Sequence, residues 1–319
     1  MDSFDFSVII TTLNRQNEVH RLIGEIKSVV GGFSIEILVV NSGDKIGLQD
    51  SVENQNGISL VEIVTSRKNQ PYQRYLGALK ANGRICVFFD DDLRIIKDSF
   101  FYDIYKCYDD NTVVGTGVGF FNEGDNYVKA GSYNNSWDKF KSNINYLEFN
   151  RKSGDCGIAG REPLDMRSGA EYVNMLAGGN VPSCLRSLTP LLWDEYIFRL
   201  ADNGMGKGED KYFTLSLSAF GKIKYLNEAY IMHPRSQSTY TYSYKRWRAE
   251  AIRTRFMICD KYSIIYKQSL YLNRTRILLG YLLAGIFFYE LSRIGLKKRF
   301  YLPYSLTYSI RNTWFFTHF

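Results

Sequence analysis

The apolar positions of the chain follow two periods. Short, mostly apolar runs recur at residues 7–12, 35–40, 60–65 and 85–89, the second and third each carrying one glutamate, and runs of that length closed by turn residues read as buried strands. Between the first two, Val19, Leu22, Ile23, Ile26, Val29 and Val30 repeat at helical spacing, and Gly31-Gly32 closes the helix. Between the third and fourth, residues 69–79 read as a helix with Pro71 in its first turn, ended by Asn82-Gly83. Strand, helix and strand in this order predict right-handed βαβ units and an α/β fold with a mostly parallel sheet.

The pattern then loosens. Residues 98–110 read as a helix outside the sheet. Residues 113–121 alternate glycine with apolar side chains, which predicts an edge strand closely approached by another backbone. Residues 122–169 are polar and rich in Gly, Asn, Ser and Tyr, and are expected to form an acceptor-side binding loop. A strand over 171–177 leads to the turn Gly178-Gly179-Asn180. After the aromatic-acidic Trp193-Asp194-Glu195, Gly208-Glu209-Asp210 opens an apolar helix to Phe220. Residues 222–231 are expected to hold a final strand pair, with His233 just beyond it, and 244–270 a helix.

At 319 residues the chain is long enough for one large domain and an appendage. Charge divides it: residues 240–319 carry 14 Lys and Arg against 3 Asp and Glu, whereas 1–239 carry 26 against 30. The expected boundaries are a catalytic domain over 1–238, with halves 1–110 and 111–238, and a basic, aromatic helical tail over 239–319. Residues 277–289 are uncharged and flanked by Arg and Lys. Thirteen residues are fewer than the ~20 needed to span a bilayer. An interfacial helix on an anionic membrane surface fits the composition, and a helix packed on the catalytic domain is the structural alternative. No recognition motif points to nucleic acid. Five scattered cysteines without C-x-x-C, and an N-terminus that enters a strand directly, read as a cytoplasmic protein, peripheral on the inner membrane face if the tail engages lipid.

The chemistry centres on Asp90-Asp91-Asp92, which follows the buried run 85–89. In an open α/β sheet, ligands bind at the carboxyl ends of strands. Adjacent carboxylates repel one another unless a cation or hydrogen-bond donors are present. In an extended backbone Asp90 and Asp92 share a direction, so one could serve a sugar hydroxyl and the other a divalent metal; a solvated acidic turn is the plain alternative. No G-x-G-x-x-G follows the first strand, which removes the dinucleotide fingerprint. Arg74 would face the loop side, either on a phosphate or as an ordinary surface arginine. Glu209 and Asp210 are explicable as helix-capping acids. Of the three histidines, His20 reads as a surface residue, while His233, at a strand end near acidic groups, is a candidate metal ligand.

Taken in order, V-I-I-T-T-L-N-R, L-V-V-N-S-G-D, N-Q-P-Y-Q-R-Y-L-G and F-F-D-D-D resemble the nucleotide-binding half of a family 2 glycosyltransferase of the GT-A fold. The Gly-Gly-Asn turn, the aromatic-Asp-Glu and the Gly-Glu-Asp step are similar to that family's second half. The resemblance implies an inverting, metal-dependent enzyme that moves a sugar from a nucleoside diphosphate, a UDP-sugar first among them, to a hydroxyl of a glycan or lipid-linked acceptor in surface polysaccharide synthesis. It implies a nucleotide site of Thr12, Leu13, Asn14, Arg15, Asn41, Arg74, Asp90 and Asp91, with Asp90 on the ribose. It further implies Mn2+ or Mg2+ on Asp92 and His233, and a sugar or acceptor site around Gly179, Asn180 and Trp193. Asp210 would be the catalytic base, with Glu209 beside it. Asn41 departs from the family's usual aspartate, although an amide oxygen still accepts a hydrogen bond from a base. An inactive sugar-nucleotide binder or membrane scaffold and a nucleotidyltransferase are the alternatives; the latter lacks its glycine-rich basic loop after Thr12.

Overall fold

The computed structural model describes residues 4–48, 51–54, 57–124, 147–148, 151–166, 169–203, 208–234 and 244–293. Its strands are β1 (Phe4–Thr12), β2 (Ile35–Asn41), β3 (Ser51–Asn54), β4 (Ile58–Val64), β5 (Gly83–Asp90), β6 (Arg94–Ile95), β7 (Val113–Asn122), β8 (Tyr172–Val173), β9 (Ser183–Leu185) and β10 (Lys222–His233). The helices are α1 (Gln16–Val29), α2 (Gln70–Lys80), α3 (Phe100–Cys107), α4 (Glu195–Asp202), α5 (Glu209–Leu217), α6 (Tyr244–Ile265) and α7 (Leu270–Arg293).

One 10-stranded sheet runs β3-β4-β2-β1-β5-β9-β7-β10-β6, with β8 paired to β10. The pairs β1–β2, β1–β5, β2–β4 and β7–β10 are parallel. Short β9 is antiparallel to both β5 and β7, so all the long strands point the same way. The carboxyl ends of β1, β2, β5 and β10 therefore share one edge, and that edge carries Thr12, Asn41, Asp90 and His233.

Strict alternation in the buried strands builds two cores. Phe6, Val8 and Ile10 of β1, with Ile85, Val87 and Phe89 of β5, pack against α1 and α3. Ile9, Cys86 and Phe88 face the opposite layer with Trp193, Phe213 and Leu217. Asn69 caps α2 by accepting the Tyr72 amide at 3.0 Å, with Pro71 in the first turn as its sequence predicts. Helix α6 buries Ile252, Phe256, Met257, Ile258, Cys259 and Tyr262 in the second core, and α7 adds Ile277. The two helices are also joined by Arg274, which pairs with Asp260 at 2.6 Å. None of the five cysteines is in a disulfide, and no described helix is long and apolar enough to cross a membrane.

The structure corrects several expectations. Strand β7 is interior rather than an edge, because β9, from 60 or more residues downstream, inserts between it and β5. The close backbone approach is present: a Cβ at Gly115 would lie 2.8 Å from the Ser183 carbonyl oxygen. The strand expected over 171–177 is only Tyr172–Val173. Residues 222–231 form no strand pair; they belong to one continuous strand, which takes up the polar Asn227-Glu228 step as an irregularity in register. Strand β3 and helix α4 have no counterpart in the sequence reading. Much of the expected acceptor loop (125–146, 149–150 and 167–168) and the tail beyond 293, including His318, lie outside the described residues.

Candidate functional site

Strand β5 ends at Asp90, and the Leu93 amide turns back to the Asp90 carbonyl at 3.3 Å. The backbone is thus not extended past Asp90, and the shared direction expected for Asp90 and Asp92 does not occur. The triplet is divided between two clusters.

In the first cluster, Asp90 meets α2 and the start of α5. Gln70, Gln73 and Arg74 occupy the i, i+3 and i+4 positions of one helix face. Arg74 is 2 % exposed and its guanidinium bridges two acids, Nη2 donating to Asp90 Oδ1 at 2.7 Å and Nη1 to Glu209 Oε1 at 2.9 Å. Gln70 Nε2 donates to the same Asp90 oxygen at 2.8 Å. Asp210 accepts the Gly178 amide through Oδ2. A Cβ at Gly178 would lie 3.1 Å from Asp90 Oδ2, 3.3 Å from Asp210 Oδ2 and 3.6 Å from Arg74 Nη2. Glycine at this position thus lets the backbone come close to two carboxylates and a guanidinium, where a Cβ would crowd them.

The charges of this cluster are unequal, with three carboxylates around one guanidinium. Burial and the nearby Asp210 push the Glu209 carboxyl up to about 7, with Arg74 opposing and Asp90 adding to the rise. Against the effect of its own burial, Arg74 is held above its ordinary value by Asp90, Glu209 and Asp210.

The second cluster holds the rest of the triplet against the end of β1. Asp91 accepts Thr12 Oγ1 at 2.7 Å, and Arg15 Nη1 lies 3.0 Å from both Asp91 Oδ1 and Asp92 Oδ2. Burial pushes Asp91 up to about 6, and the neighbouring Asp92 and Asp90 charges add to this against Thr12 and Arg15. Asn14 sits at φ 55°, the left-handed region that asparagine tolerates, and its Oδ1 accepts the Asp44 amide at 3.2 Å. That contact joins the turn after β1 to the turn after β2. Gln73 Nε2 donates to the carbonyls of Thr12 (2.9 Å) and Val40 (2.8 Å), pinning the same two strand ends from below.

A pH dependence of stability follows from the two raised carboxyls. Unfolded Asp and Glu release their protons near 4. Between that pH and about 7 the folded chain holds more protons than the unfolded one. Stability therefore falls as pH rises through this window. The melting temperature is expected to decline from pH 5 to pH 8, with Glu209→Gln flattening the slope; a wild-type melting temperature that climbs over the same range contradicts the assignment.

Not every residue expected at the site reaches it. Leu13 is exposed at the strand end, as a base-lining side chain would be. Asn41 is fully buried: it donates to the Asp44 carbonyl at 2.7 Å and to Glu62 at 3.1 Å, and accepts the Gly43 amide at 2.8 Å, so its amide organises the loop. Asn180 is buried as well, bonding Ala177 N and Val118 O, while a Cβ at Gly179 would meet the Phe120 ring at 3.0 Å. Trp193 stacks on Phe213 at 5.0 Å in the core. Gln70, Gln73 and Gly178 were missed in the sequence; the i, i+3, i+4 spacing of Gln70, Gln73 and Arg74 was the available signal.

Asp92 and His233, the residues expected to hold a divalent ion, lie at the same end of the sheet. In the β6–β10 register Arg94 pairs with Met232 and Ile95 with Ile231, so the next position along sets Leu93, the residue after Asp92, opposite His233. His233 Nδ1 lies 2.9 Å from the Pro234 carbonyl, which can only accept, so Nδ1 donates there and Nε2 is the nitrogen that would face an ion. Among the described residues no three His, Cys, Asp or Glu side chains form a closed metal site. Two protein ligands suit an ion whose remaining positions are taken by phosphate oxygens and water.

Parallel strands that deliver a βαβ-supported loop, an acidic turn and a helix-borne pair of acids to one sheet edge define a glycosyltransferase of the GT-A class. Residues 7–165 match the model of "Glycosyl transferase family 2", and that part of the chain belongs to the family. No curated protein matches it in sequence. Among solved structures, S. aureus TarS 1-349 superposes with TM-score 0.52 at 13% identity, over 93% of this chain and 94% of that one. TarS 1-349 in complex with UDP-GlcNAc gives 0.53 at 13%, over 96% and 79%. The longer S. aureus TarS structure gives 0.50 at 14%, over 87% of this chain and 43% of that one, so the chain spans less than half of its length. At these identities the likeness is one of fold.

Proposed function

We propose that the chain transfers a sugar, with inversion, from a nucleoside diphosphate donor to the hydroxyl of a glycan or lipid-linked acceptor. The observation that carries this reading is the meeting of Asp90, Asp210 and Arg74 around the Gly178 backbone, next to the turn that bears Asp92. The turn after β1, with Thr12, Leu13, Asn14 and Arg15, is the proposed nucleotide cradle. Asp90, at the end of β5 beside Gly178, accepts hydroxyl groups of the donor. Asp210 takes the proton of the attacking hydroxyl. Arg74 holds Asp90 and Glu209 in place, so its role is positioning rather than direct contact with phosphate. A divalent ion on Asp92 and His233 would neutralise the charge that builds on the departing diphosphate. A UDP-sugar is the first donor to try, since a fold neighbour was solved with UDP-GlcNAc.

The test is a donor-hydrolysis and transfer screen over nucleotide sugars, with Mn2+ and with chelator. Turnover of one donor class that disappears with excess chelator and in Asp92→Ala supports the reading. Full activity in chelator removes the metal from it.

The tail is proposed to rest on an anionic membrane surface from the cytoplasmic side. Exposed Tyr271, Leu272, Leu279 and Leu283 of α7 supply apolar surface, with exposed Lys267 and Arg276 near them. Co-sedimentation with anionic, but not neutral, liposomes at low salt is expected. Equal recovery with and without liposomes makes the tail a packing element only.

A further inference from the structure

The acidic turn already contains a cation. Arg15 stands at the start of α1, where it makes no side-chain capping bond, and its Nη1 lies 3.0 Å from both Asp91 Oδ1 and Asp92 Oδ2. Asp91 is held from the other side by Thr12 at 2.7 Å and is 6 % exposed, so it cannot swing away with the guanidinium. Asp92 and Arg15 are more open, with side chains 17% and 27% exposed. The arrangement is asymmetric: one acid anchors the arginine, and the other is shared with it.

On the reading of Asp92 as a cation ligand, we propose that Arg15 is a built-in competitor for the divalent ion, holding Asp92 while the donor is absent and giving it up when a diphosphate arrives. An ion arriving alone must break the Arg15–Asp92 bond and settle beside a guanidinium that Asp91 keeps in place; like charges at such short range repel. A diphosphate changes both terms. It brings negative charge that compensates ion and arginine together, and it offers a new partner to Nη2 and Nε of Arg15, which neither acid uses. Ion and nucleotide then bind as a coupled pair, and linkage makes the coupling reciprocal: whatever factor the nucleotide gives the ion, the ion gives the nucleotide. The third carboxylate of the triplet acquires a function in this arrangement. Asp91 is the resting partner that keeps Arg15 close enough to compete and to return.

The test uses Mn2+ alone, titrated into the full chain and followed by the loss of the free-ion electron paramagnetic resonance signal. Without nucleotide, Arg15→Gln is expected to bind Mn2+ about fivefold or more tightly than the wild type, the size of a modest, partly exposed ion pair. Arg15→Lys, which restores a cation, stays near wild type, and Arg15→Gln combined with Asp92→Asn loses the gain. Adding UDP tightens Mn2+ on the wild type more than on Arg15→Gln. Arg15→Ala serves as a second neutral variant, and circular dichroism confirms the fold of each. Neutral variants that bind Mn2+ no more tightly than wild type overturn the proposal while leaving the metal reading intact. Mn2+ binding to none of the proteins, with or without UDP, overturns the metal reading and this proposal with it.

Discussion

Asp210→Asn is expected to lose sugar transfer by about a hundredfold or more, the usual contribution of a general base, while the protein stays folded and keeps its affinity for donor nucleotide. The structure makes this a clean substitution. The bond that Asp210 makes from the start of α5 is to the Gly178 amide through Oδ2, and an asparagine Oδ1 accepts that N–H equally well. The amide has no basic oxygen to take a proton, and it also removes the Asp210 charge that raises Glu209 and Arg74. Glu209→Gln is expected to cost less, because Gln Oε1 still accepts from Arg74 and Glu209 itself tends to hold a proton near neutrality. Initial rates of transfer, with nucleotide affinity measured separately, decide the matter. Near wild-type transfer by Asp210→Asn leaves this residue as a helix-terminal acid and places the base elsewhere.

Arg74→Met carries the largest expected cost in stability. The guanidinium is the central cation of the first cluster, bonded to Asp90 and Glu209 with Asp210 close by. Removing it leaves neighbouring buried carboxylates uncompensated, a change that costs about 3 kcal/mol or more. The loss is expected to be greater at pH 8 than at pH 5, since the acids can take up protons at the lower pH in place of the missing cation. Arg74→Lys recovers only part, because one ammonium cannot reproduce the planar bridge between two carboxylates. Urea unfolding at the two pH values measures both effects, and an Arg74→Met midpoint equal to wild type at pH 8 disproves the central role of this residue.

The strand–helix frame was legible where the apolar period was long and local. The runs behind β1, β2, β4 and β5 and the stripes of α1 and α2 needed no knowledge of distant residues, and the fold class followed from their order. What the sequence concealed depends on pairing across the chain. A glycine-alternating segment looks like an edge until a three-residue strand from another region fills the gap beside it, and nothing local in Ser183-Cys184-Leu185 announces that pairing. The candidate site divides in the same way. The acidic triplet stood out by composition, but its separation into Asp90 on one side and Asp91 with Asp92 on the other required knowing that β5 stops at Asp90. Arg74 was visible as a lone charge at the head of a helix. Its partners lie 16 and 135 positions away, so its burial between two acids could not be inferred from its surroundings in the chain. The family resemblance placed Trp193 near the sugar or acceptor, but aromatic side chains serve both surfaces and cores; here Phe88 and Phe213 claim it.

The placement of β9 has a consequence for biosynthesis. When the ribosome has finished β5, the chain already holds β1, β2 and β4, and these can pair. The outer side of β5, running through the buried Ile85, Cys86, Val87, Phe88 and Phe89, has no partner until Ser183–Leu185 has been made. At about 5–20 residues per second that interval lasts roughly 5 to 20 seconds. Throughout it, an apolar row of unsatisfied amides and carbonyls is open to any other nascent chain. The helices that cover the same layer, α5 and α6, emerge later still. The young N-terminal half is thus a natural client for chaperones, and its yield in a fast expression host depends on how long that edge waits.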